Sequence, residues 1–290
     1  MTDLAGQVGD FEHRDSRSRR ACFDDLGVVR IRGVIPAGRV AAARDRVQRA
    51  LVAEGLVSDG AWVGPLYDVL DPETARMDDV RAFTAAAKAV RKRSKGGALH
   101  ALFGEEVTAA AQELVSGRAL EPSPPMAQLL FTPPGATSWT VPGRVWHVDL
   151  PRVGSGKSPG VQAFTFLEPV RSEEGGTLVV AGSHRLLNDA PRGSKEIKRA
   201  LRREPWFREL MSGRNASVRG RDRRTFLTEA GSVGGVPVHV VELTGEPGDV
   251  CFTDLRLLHT LAPNPGPRPR LMATQRFTFS DVAGDARSAS

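Results

Sequence analysis

The chain has 290 residues, 40% of them hydrophobic and 26% charged, and carries a formal net charge of +6. These values fit an ordinary folded protein, not a disordered or fibrous one, and no stretch approaches the roughly 18 continuous apolar residues of a membrane-spanning helix. Two cysteines, Cys22 and Cys251, exclude a disulfide framework and read as reduced thiols of a cytoplasmic protein; the polar start of the chain lacks the apolar core of a secretory signal.

Residues 1–20 read as a mobile polar tail. Alternation over 26–33 predicts a short strand ended by Gly33. Val40, Ala43, Val47 and Leu51 recur at helical spacing behind Pro36 and predict a helix over 37–54, with Gly55 after its end. Asp71-Pro72-Glu73 has the cap, proline and acid of a helix start. That helix or a successor runs to the basic Arg91-Lys92-Arg93 and stops at Gly96-Gly97. A third helical piece covers 98–116. From Pro124 the texture changes to short Val, Phe, Thr and Leu runs between Gly/Pro turns: 126–132, 144–150, 161–167, 177–181, 236–243, 250–253 and 271–279. Such a series predicts an antiparallel sandwich or barrel. With no linker between the parts, 21–290 reads as one domain, its helical part over about 35–118 packed on a β core over about 124–280.

A basic stretch interrupts the strands. Residues 192–224 hold twelve Lys/Arg against four acids, more excess than the whole chain carries. Within it, 195–210 could be helical, broken at Pro205. The plain reading is a solvated insertion over about 186–235. The functional one is a lid over the site's mouth that meets an anionic small molecule. A nucleic-acid module would rest on this stretch alone, and no binding motif accompanies it.

The chemistry concentrates in Trp146-His147-Val148-Asp149 and in Leu257-Leu258-His259. Two residues apart on a strand means one face of the sheet. His147 and Asp149 can therefore share a centre, and His259 from a distant strand would complete a two-histidine, one-carboxylate set. That set leaves open positions on a metal and suits Fe(II) oxygenases. A charged Asp149 facing a sheet interior needs such a partner. His13, His100 and His239 lack these neighbours and read as structural or exposed. Three ligands on one face of an octahedral iron leave three sites, two for a bidentate co-substrate and one for O2. A dicarboxylate co-substrate needs a cation at its far end, and arginine grips a carboxylate with two donors. Arg270 starts a strand that fixes its direction; Arg268, between prolines, is the alternative.

Four motifs carry a family resemblance: GVVRIRGVIPAGRVAAARDRV from Gly27, WHVD from Trp146, EEGGTLVVAGSHR from Glu173, and EPGDVCFTDLRLLHTLAPNPGPRPRL from Glu246. Together they resemble the phytanoyl-CoA dioxygenase family of Fe(II)- and 2-oxoglutarate-dependent oxygenases over about 23–279. The resemblance implies a mainly β fold with helices, a double-stranded β-helix (jelly-roll, cupin-like) core flanked by N-terminal helices. It implies His147, Asp149 and His259 as iron ligands and Arg270 as the anchor of 2-oxoglutarate, with Thr165 and Gln128 as further co-substrate contacts. His184, in the Gly-Ser-His element, is not a ligand in the family. Related halogenases lack the carboxylate, so Asp149 favours hydroxylation; desaturation, ring closure and epimerisation begin with the same hydrogen abstraction. Secondary metabolism is where many such relatives act. The rival reading, a catalytically silent jelly roll that binds an anionic small molecule, has the intact His-Asp-His-Arg set against it.

Overall fold

A computed structural model describes residues 16–66, 77–124, 126–149, 152–153, 158–187, 192–212 and 222–279. Helix α1 (Ser16–Leu26) begins inside the expected tail. Arg19 and Phe23, one turn apart, both bury, and Arg19 Nη2 donates to Glu113 Oε1 at 2.6 Å, so this stretch is tied down from residue 16 onward. Strand β1 (Val28–Ile31) and helix α2 (Ala37–Ala53) follow, with Val40, Ala43, Val47, Ala50 and Leu51 buried along one face of the helix. Gly55, at φ 68°, turns the chain out of α2. A two-stranded hairpin, β2 (Val57–Ser58) and β3 (Ala61–Trp62), was not legible in the sequence. Helix α3 (Met77–Ser94) ends on Arg91, Lys92 and Arg93, where cations face the helix's negative end. The expected start at Asp71-Pro72-Glu73 lies outside the described residues. The short α4 (Gly97–His100) and α5 (Glu105–Leu114) complete the helical part.

The β core then runs through β4 (Leu120–Pro122), β5 (Gln128–Thr132), β6 (Arg152–Val153), β7 (Gly160–Phe166), β8 (Thr177–Ala181) and β9 (Arg192–Gly193). Helices α6 (Ser194–Leu201), α7 (Pro205–Leu210) and α8 (Thr225–Thr228) follow. Strands β10 (Gly231–Val233), β11 (Val236–Glu242), β12 (Val250–Asp254), β13 (His259–Leu261) and β14 (Arg270–Phe279) close the chain. One sheet has the order β1-β12-β7-β14-β4, with β5 also paired to β14; the other has the order β10-β11-β8-β13. Every pairing is antiparallel, and the two sheets make the jelly-roll core.

Three apolar layers follow from the alternation of side chains. Phe164, Phe166, Val179, Val241, Cys251 and Met272 come from both sheets and meet between them. Val161, Ala163, Phe252, Leu271, Ala273 and Phe277 leave the other face of the large sheet and pack on α2, α3 and α5. Phe252 and Phe277 are fully buried, and cutting either to alanine costs about 3–5 kcal/mol. Leu178, Val180, Val238 and Val240, on the outer face of the small sheet, are covered by Ile197, Leu201, Phe207 and Leu210. The basic stretch therefore carries an apolar face that packs on the small sheet. Arg223 is buried and donates to the carbonyls of Val141 at 2.5 Å and Leu210 at 2.6 Å.

Among the described residues 144–149, the strand expected over 144–150 is absent. Among its described residues, this segment's backbone pairs with the small sheet through an isolated bridge between His147 and His259. Val145, at φ 58°, and the bend at Asp149 break the extended geometry on either side of it.

Candidate metal centre and co-substrate anchor

The bridge that replaces the strand is what builds the centre. His147 N–H donates to the His259 carbonyl at 2.9 Å, and His259 N–H returns the bond to His147 at 2.9 Å. The two side chains then stand on one face, with ring centroids 4.4 Å apart. Trp146 and Val148 alternate to the opposite side and bury in the layer formed with the insertion. His147, Asp149 and His259 place one ligand atom each within 4.8 Å of the others. Nε2 of His147 and of His259 lie 3.5 Å and 3.7 Å from Asp149 Oδ1.

Both rings are aimed by the same local device. Nδ1 of His147 meets the Val145 carbonyl at 2.8 Å, and Nδ1 of His259 meets the Leu257 carbonyl at 3.0 Å. Each carbonyl takes the Nδ1 proton, which leaves both Nε2 lone pairs turned to the common centre. The strained φ of Val145, unusual for a β-branched residue, sets the direction of its carbonyl. Asp149 is aimed from further away: Gln162 Nε2 donates to its Oδ2 at 2.8 Å and to Thr274 Oγ1 at 3.2 Å, and Arg276 Nη1 donates to its backbone carbonyl at 3.0 Å. Burial alone would raise the Asp149 carboxyl. Hydrogen bonding to His147, His259 and Gln162 outweighs it and holds the group well below the usual carboxylate range. Contact with Asp149 raises His147 against its own burial, while Lys198 of α6 opposes its protonation. The His147 side chain is 44% exposed and that of His259 10%, so the centre is reached from the His147 side. Two imidazole nitrogens and one anionic oxygen, already converged, fit a divalent iron.

Arg270 lies deeper. Its Nε donates to the Gly175 carbonyl at 2.7 Å and its Nη2 to Thr132 Oγ1 at 2.6 Å. Nη1 is buried with no hydrogen-bond partner. A buried donor in this position has the chemistry to meet an anionic acceptor. Burial pulls the guanidinium down to about 10, with Glu242 acting against that fall. Arg268 is exposed. Gln128 is exposed and stands opposite Thr274 in the sheet, on the face shared by Thr132 and Arg270.

Thr165 is not part of this constellation. It lies on the face of β7 opposite Gln162 and Phe164, fully buried, with its hydroxyl on the Asp249 carbonyl at 2.8 Å. Gln162, missed in the sequence, is the β7 residue that reaches the centre; an amide inside an apolar strand was its signal. Ser183 was missed too: its Oγ accepts Leu258 N–H at 3.0 Å and so fixes the residue before His259. His184 donates from Nε2 to the Asp24 carbonyl at 3.1 Å, away from the triad.

The model of the Phytanoyl-CoA dioxygenase (PhyH) family matches residues 23–272. Among curated proteins nothing matches the chain. Among solved structures, AviO1 from Streptomyces viridochromogenes Tue57 is similar at 18% identity and a TM-score of 0.50, over 92% of this chain and 96% of that one. The epimerase SnoN in complex with Fe3+, alpha ketoglutarate and nogalamycin RO is similar at 20% identity and a TM-score of 0.50, over 91% and 84%. These two likenesses concern the fold.

Proposed function

We propose, from the premise that this chain belongs to the phytanoyl-CoA dioxygenase family of non-heme Fe(II)- and 2-oxoglutarate-dependent dioxygenases, that it hydroxylates an unactivated C–H bond of a small-molecule metabolite. In that reaction the C–H bond becomes C–OH, while 2-oxoglutarate and O2 become succinate, CO2 and the new hydroxyl oxygen. The observation that carries the reading is the pairing of a converged His147-Asp149-His259 set with a buried guanidinium whose Nη1 awaits an acceptor.

His147 and His259 would hold the iron through Nε2 and Asp149 through a carboxylate oxygen. Iron, with 2-oxoglutarate and O2, supplies the oxidising chemistry that no side chain here can perform. Arg270 would take the distal carboxylate of 2-oxoglutarate through Nη1, and Gln128 faces the same space. Gln162 and Arg276 hold Asp149 still, which keeps the ligand set pre-organised. Phe164, whose ring centroid lies 6.2 Å from that of His259, presents an apolar wall on the inner side. Retention of Asp149 favours hydroxylation over halide transfer.

An anionic group on the substrate would meet Lys198 and Arg276, both beside the triad. The basic stretch is read as a cover over that mouth and not as a nucleic-acid surface. Its apolar face packs on the small sheet, Arg223 is spent on backbone carbonyls, and Arg224 pairs with Glu173. No helix among the described residues is long and apolar enough to cross a membrane, and the thiols of Cys22 and Cys251 suit a reducing cytoplasm. Secondary metabolism is the setting proposed, from the family resemblance.

The test is turnover with isotopically labelled O2, Fe(II) and 2-oxoglutarate over a panel of small metabolites. A product one labelled oxygen heavier, formed together with succinate, is expected. Succinate formation with a product two hydrogens lighter, or isomeric with its substrate, contradicts hydroxylation.

A further inference from the structure

Glu242 ends β11, and its carboxylate turns into the segment from Glu173 to Gly176. Oε2 accepts the Glu173 N–H at 2.7 Å and Oε1 accepts the Gly176 N–H at 2.9 Å. One carboxylate thus closes both ends of a four-residue turn. Inside that turn, Gly175, at φ 81°, presents the carbonyl that receives Arg270 Nε. The packing leaves no slack. A Cβ on Gly175 would come within 2.9 Å of Asn264 Cβ, and one on Gly176 within 2.6 Å of the Leu243 carbonyl and 2.8 Å of Glu242 Cγ. From outside, Arg224 of the insertion grips the Glu173 carboxylate with two bonds, at 2.6 Å and 3.0 Å. With Nε on Gly175 and Nη2 on Thr132, the guanidinium plane is fixed by two bonds, and Nη1 has one direction left.

We propose that Glu242 is the positioning residue of the co-substrate anchor: it touches neither iron nor 2-oxoglutarate, and it sets the direction of Arg270 by closing the Glu173–Gly176 turn. The proposal rests on the reading that Arg270 holds 2-oxoglutarate. Burial raises Glu242 itself, and its field works against the loss of charge that burial imposes on Arg270. One of the two bonds that orient the anchor, and part of the field that keeps it charged, therefore depend on a side chain that lies on the other sheet.

Glu242→Gln keeps the size but sets an amide N–H against a backbone N–H; Glu242→Ala removes both acceptors. In anaerobic, Fe(II)-loaded protein, titration with 2-oxoglutarate is expected to give a dissociation constant raised on the order of 10- to 100-fold. Fe(II) affinity without 2-oxoglutarate is expected to stay at the wild-type value. Glu242→Gln added to Arg270→Ala should weaken 2-oxoglutarate no further, because the two residues act through one guanidinium. An additive loss, or iron affinity that falls in step, would mean general damage and overturns the proposal. Should the Glu242 variants not fold, Glu173→Gln, which loosens the same turn from its Arg224 side, is expected to shift the constant in the same direction; no shift overturns the proposal. If Arg270→Ala weakens 2-oxoglutarate and the Glu242 variants do not, this inference alone falls. If Arg270→Ala itself has no effect, the reading of Arg270 falls with it.

Discussion

At the metal end, each imidazole is aimed by a carbonyl two residues earlier in the chain, Val145 for His147 and Leu257 for His259. At the anchor end, Arg270 is aimed by Gly175 and Thr132, which stand 95 and 138 positions away. Asp149 combines both, its carboxylate held by Gln162 thirteen positions on and its backbone carbonyl by Arg276, 127 positions on. A ligand aimed by its own neighbours carries its geometry in a short motif. A group aimed across two sheets acquires its geometry only when the barrel closes. The directions of the two imidazoles should therefore tolerate distant damage, and the direction of Arg270 should register it.

The sharpest break at the metal end is Asp149→Ala. It removes the anionic ligand and leaves two imidazoles. Iron-dependent turnover is expected to drop to background, read as succinate release, and the melting temperature should fall as well, because the bonds that hold the Asp149 carboxyl low also stabilise the fold. Next comes Arg270→Ala. Loss of a buried, hydrogen-bonded cation from a charge pair costs about 2–5 kcal/mol of binding, roughly 30-fold to several thousandfold in the dissociation constant of 2-oxoglutarate. Iron affinity is expected to hold. Gln162→Ala belongs to the metal end and should cost about 10- to 100-fold in iron affinity, measured by competition with a chelator.

A smaller effect separates the ends by pH. Burial raises Glu242 to about 7, from an ordinary value near 4.5, against amide bonds that favour its ionised form. An acid raised on folding contributes stability that is complete below its unfolded value and is lost as pH rises through its folded one. The wild-type melting temperature should fall between about pH 5 and pH 8, and Glu242→Gln should flatten that limb. The smallest is Val145→Gly. It relieves a strained positive φ on a β-branched residue and is expected to stabilise by about 1 kcal/mol or less. Calorimetry reads this as a slightly higher melting temperature, and any destabilisation removes the strain argument.

Much of the fold was legible because its signals are local. The helix over Ala37–Ala53 shows its apolar spacing and its glycine stop, and β5, β8, β11, β12 and β14 lie close to the short apolar runs between Gly/Pro turns. The HxD pair was legible for the same reason, although its strand is only a bridge. Thr165 was misplaced for a physical reason. Every residue of β7 is buried, so the two faces look alike in the sequence, and only the partner elements decide that Gln162 points in and Thr165 out. The basic stretch misleads similarly. Its many charges hide Ile197, Leu201, Phe207 and Leu210, which cover the small sheet. Glu242 could not be found from its neighbours, since its partners lie 66 and 69 positions away.

Anaerobic titration of the intact protein with Fe(II) and then 2-oxoglutarate tests the central claim most directly. A visible charge-transfer band is expected only when both are present. It should vanish in Asp149→Ala, and in Arg270→Ala it should require far more 2-oxoglutarate. A folded, iron-saturated protein that gives no band, or one whose band is indifferent to Arg270, would contradict the account.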